Sequence, residues 1–357
     1  MILAHLIRLL AVLLGLALLA GCEERAGKLP AVGASITQTS VSGVSAGAYM
    51  AGQFQLAHGR DVVGAAIIAG GPWGCAESLY ADVMPGPGTA FLNLSRAMNG
   101  CMLSALQAWG IPNPQWLASR AGLLASQGKI DPIASVRSDR VYLFTGREDT
   151  TVVPSIVAAA RTFYLDIGVK DESIAFVDNL PAGHGFVAEH KGLHACDETA
   201  APFIVDCDYD MAGALLSHIY GGLNPKVAQP AGEMIAFSQS EFLENLSGHG
   251  MAETGVVYIA PECRQTAGCR VHIAFHACGQ NTAAVGDAFI TDTGFLAWAD
   301  SNRLVVLFPQ VSSTPANPQA CWDWWGYTGR QFLTRDAPQI VAVRRMLLRL
   351  AGSPSMI

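Results

Sequence analysis

The chain has 357 residues, 51% of them hydrophobic, with 22 Lys+Arg against 29 Asp+Glu and a formal net charge of −7. That length suffices for one large α/β domain or two small ones. No basic stripe suggests a nucleic-acid partner, and past the N-terminal leader no apolar run is long enough for a transmembrane helix.

Residues 1–21 read as an export signal. His5 and Arg8 make a weakly basic start, and Leu9 to Ala20 is an apolar run too short to span a bilayer comfortably. The sequence Leu18-Leu19-Ala20-Gly21-Cys22 resembles the bacterial lipoprotein pattern, which implies cleavage before Cys22 and lipid on its thiol and new amino group. Two or three acyl chains anchor firmly, since each buried CH₂ contributes roughly 0.8 kcal/mol. Glu23, in place of the Asp that marks inner-membrane retention, points to the outer membrane of a bacterial envelope. The alternative is an ordinary secretory peptide with a chance cysteine. Residues 22–34 read as a short lipidated tether and residues 35–357 as one folded domain.

Ile36 to Val41 can be a strand. It runs into Gly43-Val44-Ser45-Ala46-Gly47, a G-x-S-x-G pentapeptide, and then into a helix with Tyr49, Met50, Phe54 and Ala57 near one face and Gly59 as a stop. A serine on a sharp strand-to-helix turn sits in a strained backbone that only small neighbours allow, with its hydroxyl near the positive end of the helix. Asp61 to Gly71 predicts a buried parallel strand. Residues 72–137 are mixed, with helical stretches near 97–109 and 114–127. Arg140 to Gly146 is a strand running into Arg147-Glu148-Asp149, and a helix follows at about 155–167. Ser173 to Val177 is the next strand, leading to Ala182-Gly183-His184-Gly185. Strands return at Gly255 to Ala260, Val271 to His276 and Leu304 to Pro309, with helices near 292–302 and 334–351. Alternating strands and helices argue for a mostly parallel sheet with helices on both faces, and ligands beyond the carboxyl ends of its strands.

Serine needs a base within hydrogen-bond reach, and the base needs a carboxylate to orient it. Ser45, Asp149 and His184 follow the Ser, acid, His chain order of α/β-hydrolases, and each lies after a predicted strand. Glu148, Asp131, Asp166 and Asp178 are the competing acids. His190, His194, His218 and His249 lack a strand just upstream. The oxyanion of an acyl-transfer intermediate needs two N–H donors; Ala46 follows the nucleophile and supplies one. The second normally comes from an earlier loop, yet the only matching segment is His276-Ala277-Cys278-Gly279-Gln280, more than two hundred residues later. The fold is therefore expected to be a circularly permuted α/β-hydrolase.

Nine cysteines are present; setting Cys22 aside leaves eight, an even number that favours disulfides in an exported chain. Eight cysteines permit 105 pairings. Local pairing is the simplest assignment: Cys75–Cys101, Cys196–Cys207, Cys263–Cys269 and Cys278–Cys321. No C-x-x-C pair exists, so a metal site is not expected.

A permuted hydrolase with Gly43-Val44-Ser45-Ala46-Gly47-Ala48-Tyr49-Met50 near its start resembles the poly(3-hydroxybutyrate) depolymerases. So does the His276–Gln280 segment with Asn317-Pro318-Gln319-Ala320-Cys321-Trp322-Asp323-Trp324-Trp325 after it. The likeness covers roughly residues 35–350 and is closest to the single-domain type. It implies a Ser45–Asp149–His184 triad, an oxyanion hole of the Ala46 and Cys278 amides, and a crevice lined by Asn317 and Trp322 that accepts a polyester chain. It also implies a Cys278–Cys321 disulfide holding the oxyanion loop against that crevice, with no cofactor and no obligate protein partner. Ala46-Gly47-Ala48 and Ala277 depart from common family residues, small for small. A feruloyl or acetyl-xylan esterase shares such an elbow and triad, and a lipid-anchored binding protein with a dead site is the alternative of another class.

Overall fold

The computed structural model describes residues 26–78, 87–102, 110–189 and 192–353. The expected signal, Cys22 and the first residues of the tether lie outside them, as does His190.

Eight strands form one sheet. In chain order they are β1 (Ser35–Val44), β2 (Val62–Ile68), β3 (Arg140–Phe144), β4 (Ile174–Val177), β8 (Glu233–Ser238), β9 (Thr254–Ile259), β10 (Arg270–Phe275) and β11 (Leu304–Phe308). Their spatial order is β4-β3-β2-β1-β10-β11-β9-β8. Pairing is parallel from β4 across to β11, while β9 runs antiparallel to both β11 and β8. A second sheet, in the order β5-β7-β6, is built from β5 (Phe186–Ala188), β6 (His194–Ala195) and β7 (Ile204–Asp206).

The alternation along each central strand divides the core in two. Val271, Ile273 and Phe275 of β10, with Val305 and Leu307 of β11, join one cluster; Ala274, Leu304, Val306 and Phe308 join the other. This period of two is what a sheet covered on both faces requires. The first face is covered by α1 (Ala46–Ala57), α3 (Pro114–Ser126), α4 (Pro154–Asp166) and α7 (Pro338–Ala351), the second by α5 (Met211–Tyr220) and α6 (Phe295–Asn302). The further helix α2 (Pro87–Arg96) continues into a single π-helical turn at Ala97–Cys101.

Four details differ from the sequence reading. The last helix begins at Pro338, where proline's fixed φ and missing N–H suit the first turn, and not at 334. Of the helix expected near 97–109, residues Ala97–Cys101 form the π turn and residues 103–109 lie outside the described residues. The elbow helix has no single buried face, because all twelve residues of α1 are buried. The small sheet and the edge strand β8 were not anticipated.

All four expected disulfides are present: Cys75–Cys101, Cys196–Cys207, Cys263–Cys269 and Cys278–Cys321. They belong to an oxidising compartment, in keeping with an exported chain. Among the described residues no helix is long and apolar enough to cross a membrane.

One buried carboxyl gives the fold a pH dependence. Asp139, just before β3, accepts a bond from Gln55 Nε2 at 2.7 Å, and Gln55 Oε1 accepts one from the Tyr164 hydroxyl at 2.8 Å. Burial pushes the Asp139 carboxyl from 3.8 up to about 8. Between those values the folded chain holds a proton that the unfolded chain has lost, so this group makes stability fall as pH rises from about 4 to about 8. Asp139→Asn cannot ionise. Its stability relative to the parent should rise by on the order of 1 kcal/mol per pH unit across that window. Denaturant unfolding at pH 5 and pH 8 tests this, and an equal difference at both values contradicts it.

Candidate active site

Ser45 lies between β1 and α1 with φ 55° and ψ −119°, a left-handed-side conformation that a non-glycine residue adopts only under constraint. The constraint is visible. Its N–H donates to Ile68 O at 2.9 Å, and its carbonyl accepts from Ala48 N at 2.9 Å. A Cβ on Gly43 would lie 2.0 Å from Gly47 O, and one on Gly47 would lie 2.2 Å from Phe275 O and 2.5 Å from His276 O. The pentapeptide glycines are thus steric requirements, and the elbow is pressed onto the end of β10.

Asp149 follows β3. Its Oδ1 accepts the N–H groups of Thr151 and Val152 at 2.8 and 2.9 Å, which leaves Oδ2 aimed at His184 Nδ1, 2.8 Å away. A carboxylate only accepts, so Nδ1 carries the ring proton and Nε2 keeps its lone pair. Burial separates Asp149 from its rivals: it is 2% exposed, while Glu148, Asp166 and Asp178 face solvent and buried Asp131 pairs with Arg335. The acid and histidine loops are zipped together. Arg147 N–H donates to Leu180 O at 2.9 Å, Glu148 N–H donates to Ala182 O at 3.1 Å, and a Cβ on Gly146 would meet Ala182 O at 2.0 Å.

His184 is also held from behind. Its N–H donates to Thr199 Oγ1 at 2.8 Å, and Gly183 N–H donates to Cys196 O at 2.8 Å, beside the Cys196–Cys207 disulfide. Phe203 O accepts from both Phe186 N–H and Gln280 Nε2, so the segment after the histidine is tied to the segment after Cys278. Thr199 carries no sequence signal of its own; only the fold brings it here.

Cys278 follows β10 and is disulfide-bonded to Cys321. The next residue's N–H donates to Gln319 O at 2.6 Å. Among the described residues, neither the Ala46 nor the Cys278 backbone N–H finds a backbone acceptor. His276 is buried, and burial pushes its ring down to about 4; it bonds Ala277 O through Nδ1 and stays neutral.

Asn317 and Trp322 sit deeper than a crevice wall. Asn317 is 1% exposed, and its amide holds the Cys321 turn, donating to Cys321 O at 2.7 Å and accepting from Cys321 N at 2.9 Å. Its polar atoms are engaged within the turn and with the Tyr327 hydroxyl. The Trp322 ring is wholly buried against Phe275 and His276, and its indole N–H has no partner among the described residues. Among the described residues no group of three or more His, Cys, Asp or Glu side chains is placed to hold a metal ion.

A nucleophile elbow at the end of a central parallel strand, with an Asp–His pair on loops beyond β3 and β4 of the same sheet, defines the α/β-hydrolase class. The chain is 31% identical over 330 residues to the polyhydroxybutyrate depolymerase of Talaromyces funiculosus, covering 87% of this chain and 88% of that one. It belongs to the poly(3-hydroxybutyrate) depolymerase family. It is also 37% identical over 337 residues to the poly(3-hydroxybutyrate) depolymerase of Delftia acidovorans, covering 93% of this chain but only 63% of that enzyme's length. The crystal structure of a PHB depolymerase from Penicillium funiculosum matches with a TM-score of 0.78 at 28% identity, over 91% of this chain and 98% of that one. A PHB depolymerase complexed with an R3HB trimer matches with the same figures. No protein-family model matches the chain.

Proposed function

We propose that this protein is a serine esterase that cleaves poly(3-hydroxybutyrate), or a related polyhydroxyalkanoate, to oligomers and monomers. The observation that carries the reading is the Asp149–His184 pair, assembled on loops beyond the sheet whose central strand presents Ser45. Ser45 Oγ attacks the ester carbonyl while His184 Nε2 takes its proton. His184, steered by Asp149, then passes that proton to the leaving alkoxide oxygen, which departs as the hydroxyl end of the product, and water releases the acyl group by the reverse sequence. The Ala46 and Cys278 N–H groups would receive the oxyanion, each such donor being worth about 3 kcal/mol. The orphan indole N–H of Trp322 supports a role as donor to a substrate carbonyl, since a buried unpaired donor costs about 1–3 kcal/mol until something accepts from it. The reaction so written needs no cofactor.

The strand order supports reading the fold as a circular permutant. β10, which leads into the proposed second oxyanion donor at Cys278, lies beside β1 in the sheet but follows it by more than two hundred residues in the chain. Residues 35–357 then constitute the catalytic domain, residues 1–21 an export signal and residues 22–34 a tether lipidated at Cys22. That tether would hold the enzyme at the bacterial outer membrane with its polyester or oligoester as the only expected partner. Radiolabelled palmitate incorporated into the wild type and absent from Cys22→Ala tests the anchor.

The relatives' names favour a polyester over the feruloyl or acetyl-xylan alternative. The formed Asp149–His184 bond is evidence against a catalytically dead binding protein. The deciding experiment compares 3-hydroxybutyrate release from polyester granules and oligomers with ferulate or acetate release from substituted xylan. Release from the polyester alone supports the reading; release from xylan alone overturns it.

A further inference from the structure

Asp323 lies in the tryptophan-rich turn after Cys321, and the catalytic scheme gives it no role. It is 2% exposed, and its carboxylate meets no cation within ion-pair distance among the described residues. Four donors of its own turn satisfy it. Oδ1 accepts from Gly326 N at 2.6 Å and Tyr327 N at 3.0 Å, and Oδ2 accepts from Thr328 N at 2.9 Å and Thr328 Oγ1 at 2.6 Å. A buried carboxylate bound only by N–H and O–H groups is costly unless every bond is made, so it fixes one backbone course for residues 323–328.

The same residue is gripped from both sides. Its carbonyl accepts from Gln53 Nε2 of the elbow helix at 2.9 Å, and its N–H donates to Gln339 Oε1 of the C-terminal helix at 2.8 Å. Gln339 Nε2 also donates to the Tyr327 hydroxyl, which in turn donates to Cys321 O at 2.8 Å. The turn is thus tied to the nucleophile's helix and to the cysteine that holds the Cys278 loop.

What the turn presents is aromatic. Trp324 stacks on Tyr49 of the elbow helix with centroids 4.2 Å apart, Trp325 packs edge-on against Trp324, and Tyr327 packs against Trp325. Trp325, Tyr327 and Thr328 form one wall of a cleft of about 500 Å³, mostly apolar, whose other wall is Phe91 and Leu94 of α2. A polyester offers methyl groups and carbonyls and no donors, which an apolar cleft suits.

We propose that Asp323 is a positioning residue for the polyester chain: by locking the 323–328 turn it sets the Trp325–Tyr327 wall at a fixed distance from the elbow. It governs how units remote from the scissile ester bind, and it leaves acyl transfer itself to Ser45 and His184. The inference rests on the proposed depolymerase function.

The test is Asp323→Asn, which keeps the shape, removes the charge and turns an NH₂ towards donors. Thr328→Val deletes one bond while keeping volume, and Thr328→Ser restores it. Each protein is assayed on a 3-hydroxybutyrate oligomer and on p-nitrophenyl acetate. For Asp323→Asn the KM for the oligomer should rise roughly tenfold with kcat changed less than about threefold, the pattern of lost substrate binding. The loss of kcat/KM should be at least about fivefold greater on the oligomer than on the small ester. Thr328→Val should show the same split, smaller, and Thr328→Ser should reverse it. Equal proportional losses on both substrates, or an unchanged oligomer KM in Thr328→Val when Asp323→Asn does not fold, overturn the proposal. A wild type that leaves the oligomer intact defeats the depolymerase reading itself, a result distinct from either.

Discussion

Ser45→Ala is expected to abolish ester hydrolysis, lowering kcat by about 10⁴- to 10⁶-fold, while the protein folds as before. The fold should tolerate the change because what holds residue 45 is backbone. The Ile68 carbonyl takes its N–H, Ala48 N–H takes its carbonyl, and Gly43 and Gly47 make the space; none of these involves Oγ. An alanine at φ 55° meets the same strain as a serine. Removing His184 as well should add almost nothing, since a nucleophile and its base act as one unit. Loss of labelling by a fluorophosphonate probe, with an unchanged melting temperature, completes the expected result. Hydrolysis within about tenfold of wild type in Ser45→Ala would remove Ser45 from the mechanism.

Much of this site can be read before folding, because its logic is local. An elbow needs two small residues around a serine, and an acid and a histidine each need a strand just upstream; all of these are neighbours in sequence. The apolar runs at 62–68, 271–275 and 304–308 mark strands buried on both faces. Other features depend on contacts that no local pattern carries. The strands β5, β6 and β7 are two or three residues long and show no periodicity. The edge strand β8 is half exposed, so its pattern is diluted. Asp149 and Glu148 are adjacent in sequence, and only burial separates them. Trp322 is recognisable as part of a motif, but whether its ring lines a cleft or fills the core is decided by Phe275 and His276, some forty-six residues earlier. Asp323 looks like an ordinary turn residue until its four donors are seen together.

Gly47→Ala is expected to damage both stability and catalysis, although it adds one methyl group outside the proposed triad. The new Cβ would sit 2.2 Å from Phe275 O and 2.5 Å from His276 O, both backbone atoms, so no side chain can swing aside. The end of β10 cannot retreat easily either, for it is paired with β1 on one side and β11 on the other. Overpacking of this kind costs about 1–3 kcal/mol or more, a fall in melting temperature of roughly 2–5 °C for a domain of this size. Whatever does give is the segment leading into Ala277 and Cys278, so the proposed oxyanion donors would move relative to Ser45. Displacing one such donor lowers kcat by about 10²- to 10³-fold. Gly52→Ala is the control in the same helix. Its Cβ would meet nothing nearer than Ile67 Cδ1 at 3.7 Å, so it should be neutral or gain up to about 1 kcal/mol from helix propensity. If Gly47→Ala keeps kcat within about threefold of Gly52→Ala, the elbow does not need its close approach to β10, and the second oxyanion donor must come from elsewhere than the Cys278 loop.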